Sequence, residues 1–360
     1  AGEQVIRNYD PCISCATLAG TLVNCAGGPT PWGSWLSCEE AVLSDPTGAF
    51  EAQFGRSPRP HGYVYEVPAP RLGRASAVPI VAMGKMKHEA VAVDPRDGIV
   101  YLSEDNGPHS GFYRFLPRDR SGRIGALEAG GTLQMLRVRG VDGADLSAPT
   151  QGATFDVDWV TIEDPDRDPE RLVAAAPGMP AVQGAGKCGP FLQGEALGAA
   201  RFRRGEGCWE HAGVIYMVDT SGGAAGAGVV WAHEPAAQRL TALFVSPGEA
   251  VANHPDNITV SPRGGILTCE DGGSFTAADG RFVGARLLAI SPRGEATTFA
   301  ENHTRFDAPP AGRPHIEVGD LRGGEFTGAC FAPDGRTLFV NIQTPGITLA
   351  VTGPFERLGL

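Results

Sequence analysis

The chain is poor in lysine, in charge, in aromatics and in long apolar runs. Of its 30 basic residues only Lys85, Lys87 and Lys187 are lysine, and the formal charge is -11 with a pI near 5.2. A general nucleic-acid-binding surface is therefore not expected. No run of eighteen apolar residues occurs in the 360, so no transmembrane helix is expected. The chain does not open on a basic-then-apolar leader, and any export signal is expected to have been removed already. Eight cysteines are too few for a disulfide-held miniprotein of this length and leave core thiols, two or three bridges, or metal ligands open.

Glycine and proline are plentiful instead. Fifty glycines and 29 prolines beside only 20% charged residues point to many short elements joined by tight turns, the profile of an all-β or β-rich enzyme. Three segments share one plan. HEAVAVDPRDGIVYLSED (88–105) is an alternating strand, a turn and a second strand ending in carboxylates. PDNITVSPRGGILTCEDG (255–272) repeats it, and FTGACFAPDGRTLFVNIQ (326–343) repeats it with amides in place of the acids. WLSCEE (35–40) looks like the second half of such a unit. Further strands are expected at 62–67, 111–116, 213–218, 228–232 and 286–290, while 118–131 and 162–182 read as irregular connections.

Strand–turn–strand units recurring with polar residues always at the same end predict a β-propeller, of six blades or a shortened version, with irregular insertions. A sandwich of similar hairpins is the plainer alternative. The repeated ends offer Glu39, Glu40, Glu89, Glu104, Asp105, Glu270 and Asp271, with Asp256 and Asn253 close by. So many carboxylates in one region would repel each other unless cations sat among them. Oxygen-rich sites suit Ca²⁺, Mg²⁺ or Mn²⁺, and ferric iron accepts carboxylates together with a thiolate. In RRGEGCW (203–209), an arginine two residues before a glutamate on a strand is expected to share its face. That pair reads equally as an ordinary ion pair or as a phosphate contact beside a metal ligand.

The segments NCAGGPTPWGSWLSCEE, KMKHEA, YLSEDN, FRRGEGCW, NHPDNI, LTCEDG and FVNIQTPG resemble the PhoX alkaline phosphatase family and its shorter bacterial relatives, from Asn24 to the C-terminus. The resemblance implies a propeller, here residues 24–360 preceded by a separate segment 1–23. It also implies iron, Fe(III), with calcium, hydrolysis of phosphomonoesters, a periplasmic or secreted location, and a monomer. By this resemblance Cys25 ligates iron and Glu39 or Glu40 is the nearby acid. Glu89 belongs to the iron set, Asp105 and Glu206 bind metal, Arg204 contacts phosphate, and Glu270 or Asp271, with Asp256, supply later ligands. Arg204, Cys25 and Glu89 are the catalytic candidates. Ala-Gly-Gly is expected to let the backbone approach the cluster, and Trp32 and Trp35 to brace the following turn. Cys12 and Cys15 read as a local bridge or as thiols. A calcium-dependent lactonase or esterase, which gives no special task to Cys25 or to the Arg204–Glu206 pair, and a non-enzymatic calcium-stabilised binding propeller, which keeps its acids for structure, are the competing readings.

Overall fold

The computed structural model describes residues 21–44, 48, 51–52, 55, 59–69, 76, 78–174 and 181–360; Cys12 and Cys15 lie outside them. Packing divides the chain into two compact units, one of residues up to Leu146 with Asp156–Gly205, the other of Ser147–Phe155 with Glu206–Leu360. Both are built of antiparallel sheets, giving an all-β fold.

In the first unit, strands Asn24–Pro29, Ser34–Glu39 and Val64–Pro68 form a three-stranded sheet. A meander follows through His88–Val93, Val100–Glu104, Phe112–Pro117, Gly131–Val138 and Thr154–Ile162. The run HEAVAV is buried along its whole length, as a strand covered on both faces must be. Leu36, Val64, Met86, Val91, Leu102, Phe115, Met135 and Phe191 belong to one continuous core.

The second unit carries three further meanders. One comprises Gly205–His211, Val214–Asp219, Val229–Glu234 and Arg239–Val245. Another comprises Pro255–Val260, Ile266–Glu270, Arg286–Ile290 and Ala296–Glu301. The last comprises Phe326–Phe331, Thr337–Ile342 and Ile347–Thr352.

The repeated plan read from sequence is present in atomic detail. In the three matching turns, Asp94 N–H bonds the Ile99 carbonyl (2.9 Å), Ser261 N–H that of Gly265 (2.8 Å) and Ala332 N–H that of Thr337 (2.8 Å). Gly98, Gly264 and Gly335 take the left-handed backbone each turn requires, at φ 72, 92 and 65.

Within the segment expected to be an irregular connection, 162–182, the described residues are more ordered than the composition indicates. Leu172–Ala174 and Ala181–Gln183 form a small sheet with Leu43–Ser44, and Cys188 caps the helix Gly189–Ala196. Long-range polar contacts hold this insertion, which is why local propensity did not reveal it. The buried Lys85 ammonium lies 3.3 Å from Asp166 and 2.9 Å from Asp168, and Tyr63 donates to Asp166 at 2.6 Å. Among the described residues no helix is long and apolar enough to cross a membrane.

Candidate metal centre

Each first strand of the repeated units is kinked at the same place. Pairing slips between Asn24 and Gly27, between His88 and Val91, between Pro255 and Ile258, and between Thr327 and Cys330. Such a bulge bends the strand and re-aims the side chain it carries. The first residues inside the four slips are Cys25, Glu89, Asp256 and Gly328. Three of them are predicted ligands; the fourth has no side chain to offer.

The strands are also entered in a repeated way. Val23 (φ 46), Arg204 (φ 63) and His254 (φ 56) adopt left-handed backbone, and each stands two residues before a predicted ligand: Cys25, Glu206 and Asp256. Non-glycine residues rarely take this conformation and do so mainly where surrounding structure imposes it.

Neighbouring acids at the second-strand ends divide into two tasks. Glu39, Glu104 and Glu270 are fully buried and spend their carboxylates on protein donors. Glu39 accepts from Leu22 N (2.8 Å), His61 Nδ1 (2.6 Å), Gly62 N (2.7 Å) and Tyr63 N (3.0 Å). Glu104 accepts from Gly111 N (3.1 Å) and the Tyr113 hydroxyl (2.7 Å). Glu270 accepts from Asn253 N (2.7 Å) and Arg286 N (3.0 Å), and the Arg286 guanidinium grips both of its oxygens at 2.8 Å. These three glutamates clip the second strand to the start of the third. Glu39 and Glu270, expected as metal ligands, are thus engaged by the protein itself.

The residue after each clip is placed differently. Glu40 is half-buried, Asp105 nearly buried and Asp271 exposed. In the first unit, Cys25, Glu40 and Glu89 bring one donor atom each within 4.8 Å of one another. Glu40 shares hydrogen bonds with Cys25 and with Asp105. Burial first, then the Asp105 charge, push its pKa up to about 7. A thiol, two carboxylates and a third acid alongside are costly to hold together in the ionised state, and a cation relieves that cost. The donor set fits a metal that accepts both sulfur and oxygen. In the second unit, Glu206 and Asp256, both buried, also bring carboxylate oxygens within 4.8 Å. Gly207 is needed there, because a β-carbon on it would lie 2.7 Å from the Asp256 carbonyl oxygen and the Ile258 nitrogen.

Arg204 stands just outside strand Gly205–His211 in left-handed conformation, where the two-residue alternation of extended backbone does not set its direction. Its Nε and Nη2 donate to the two oxygens of Asp105, each at 2.9 Å.

In NCAGG, a β-carbon on Gly28 would overlap the carbonyl oxygen of Val91, two residues beyond Glu89, so glycine lets these two strands approach closely. Trp32 packs on the core and donates Nε1–H to Glu66 at 2.7 Å, while Trp35 is 42% exposed and lies over Gly27. Sequence reasoning passed over Ser110 and Gly107, whose contacts to the Arg204 segment come from nearly a hundred residues away.

The model of the family described as alkaline phosphatase PhoX matches residues 1–346. The chain belongs to the PhoX family. PhoX of Pseudomonas fluorescens, solved in complex with vanadate, a transition state analogue, has a similar fold, with TM-score 0.57 and 21% identity over 90% of this chain and 65% of that one. The present PhoX-family chain therefore spans 65% of the length of that protein. A Bacteroides uniformis protein described as a candidate 6-phosphogluconolactonase follows at TM-score 0.35 and 12% identity, covering 88% of this chain and 80% of that one. The PQQ-bound aldose sugar dehydrogenase of Streptomyces coelicolor stands at 0.33 and 11%, covering 91% and 80%. Both are too distant to bear on the fold. No curated protein matches the sequence.

Proposed function

We propose that this PhoX-family protein is a metal-dependent hydrolase of phosphomonoesters, built on a β-propeller whose blades are the meanders described above. One observation carries the reading. In the first unit a thiol, two carboxylates and a guanidinium are joined in one chain of contacts, Cys25 to Glu40, Glu40 to Asp105, and Asp105 to Arg204. Cation ligands and an arginine fork side by side are what a phosphoryl group in transfer requires.

Cys25, Glu40 and Glu89 would hold iron, for which the thiolate is the distinguishing donor, and Glu206 with Asp256 would hold a harder cation such as calcium. Cations held there would supply the positive charge that an acidic protein otherwise lacks for a dianionic substrate, and would lower the pKa of a water at the site. Arg204 contributes planar paired donors to non-bridging oxygens, with Asp105 fixing the guanidinium's rotation. Glu89, buried in its bulge, keeps a carboxylate where water has little access. We place residues 24–360 in the catalytic domain, with 1–23 as a separate segment, and expect a monomer. Family membership supports a periplasmic or secreted location.

A substrate panel tests the proposal: p-nitrophenyl phosphate, bis-p-nitrophenyl phosphate and a simple lactone, each with and without orthovanadate. Turnover of the monoester, blocked by vanadate, is expected. Lactone turnover without monoester turnover would move the assignment to a lactonase, and no turnover of any of the three by metal-loaded protein would remove the enzymatic reading.

A further inference from the structure

The left-handed backbone of Arg204 is imposed by a single loop. This loop leaves strand Val100–Glu104 and runs to Gly111. Within it, the Gly107 carbonyl accepts Arg204 N–H at 3.1 Å. Ser110 and Phe202 exchange backbone hydrogen bonds, Phe202 N to Ser110 O at 2.8 Å and Ser110 N to Phe202 O at 3.4 Å. The fully buried Ser110 hydroxyl donates to the Glu104 carbonyl at 2.5 Å and accepts Gly205 N–H at 2.9 Å. Asp105 then takes the side chain, through Nε and Nη2. Backbone is gripped before, at and after the arginine, and its guanidinium is gripped as well.

The closeness of this grip shows in Gly205, where a β-carbon would lie 3.0 Å from Ser110 Oγ and 3.2 Å from the Glu104 carbonyl. The loop has its own anchor. The Glu104 carboxylate receives Gly111 N–H, the Tyr113 hydroxyl and, at 3.3 Å, Asn106 Nδ2, and Asn106 also reaches the Gly186 carbonyl at 3.0 Å. An ordinary surface ion pair has none of this support.

We propose that the Glu104–Gly111 loop sets the phosphate clamp, with Ser110 and Asp105 as positioning residues that fix the orientation in which Arg204 meets the phosphoryl group. Anchored through Nε and Nη2, the guanidinium is held in one orientation instead of many. Preorganised donors act more strongly on a developing charge than mobile ones. The inference rests on the reading of Arg204 as the phosphate contact.

The experiment is a double-mutant cycle on metal-loaded protein: wild type, Ser110→Ala, Arg204→Ala and the pair. It reads p-nitrophenyl phosphate kinetics, orthovanadate inhibition, metal content and melting temperature. Ser110→Ala alone is expected to lower kcat/KM about tenfold and to weaken vanadate inhibition by a similar factor, at unchanged metal content. In the Arg204→Ala background the same substitution is expected to change kcat/KM less than about twofold, because residues acting through one another are not additive. Equal factors in both backgrounds would overturn the positioning role, as would a lower melting temperature with unchanged kinetics. If Ser110→Ala does not fold, Asp105→Asn takes its place in the cycle with the same two outcomes. Arg204→Ala that keeps full turnover and vanadate sensitivity would instead defeat the phosphate-contact reading itself.

Discussion

Gly28 presses on Val91 so closely that a β-carbon at residue 28 would overlap the Val91 carbonyl oxygen. The strand carrying Cys25 is thus laid directly on the strand carrying Glu89, and this contact sets the separation of thiol and carboxylate. Gly28→Ala must push the two strands apart. We expect a loss of about 1–3 kcal/mol in stability, typical of overpacking, together with a lower metal content. Urea unfolding and elemental analysis on the same preparation check both; unchanged values in both would show that the approach is not critical.

Cys25 is exposed and forms no disulfide with another described cysteine. As an iron ligand it should give a visible thiolate-to-iron absorption. Cys25→Ser is expected to remove that band and reduce bound iron while far-UV circular dichroism stays that of a β protein. Retained colour and iron would take Cys25 out of the ligand set.

Glu270 and Arg286 form a buried, doubly bonded pair. If Glu270 is a clip and not a ligand, Glu270→Gln costs stability, about 3–5 kcal/mol as for other buried pairs broken on one side, and leaves metal content alone. Metal loss with little change in unfolding free energy would return Glu270 to the ligand set expected from its repeated position.

Glu104 supplies a pH test on metal-free protein. Burial, against the opposing hydrogen bonds from Cys188, Tyr113, Gly111 and Asn106, raises its pKa from 4.5 to about 7. The folded state therefore binds its proton more tightly than the unfolded chain. Its contribution is fully present below about pH 4.5 and is lost as pH rises through about 7. Relative to Glu104→Gln, whose amide does not titrate, wild-type stability is expected to decline by a few kcal/mol across that interval. Parallel stability curves for the two proteins would contradict the buried protonation.

The repeats were legible because turn chemistry and alternation are local: the three turns at Gly98, Gly264 and Gly335 stand where the sequence places them. The choice between neighbouring acids was not. Glu39 and Glu40 look alike in WLSCEE, and what separates them is the pair of N–H groups at Gly62 and Tyr63 together with His61, all more than twenty residues away. The bond from Arg204 to Asp105 was hidden for a related reason: alternation assumes extended backbone, and nothing local marks the left-handed residue at the strand entry. The bulges that give Cys25, Glu89 and Asp256 the same place carry no sequence mark beyond the small or amide residue that follows each, Ala26, Ala90 and Asn257.

The most direct measurement of the central claim is phosphomonoesterase activity against metal content through chelation and reloading of one sample. We expect iron and calcium to be present, activity with p-nitrophenyl phosphate to fall with their removal, and both to return together on adding Fe(III) and Ca²⁺. Full phosphatase activity in protein stripped of both metals, or reloaded protein that holds them and cleaves no phosphomonoester, would contradict the assignment.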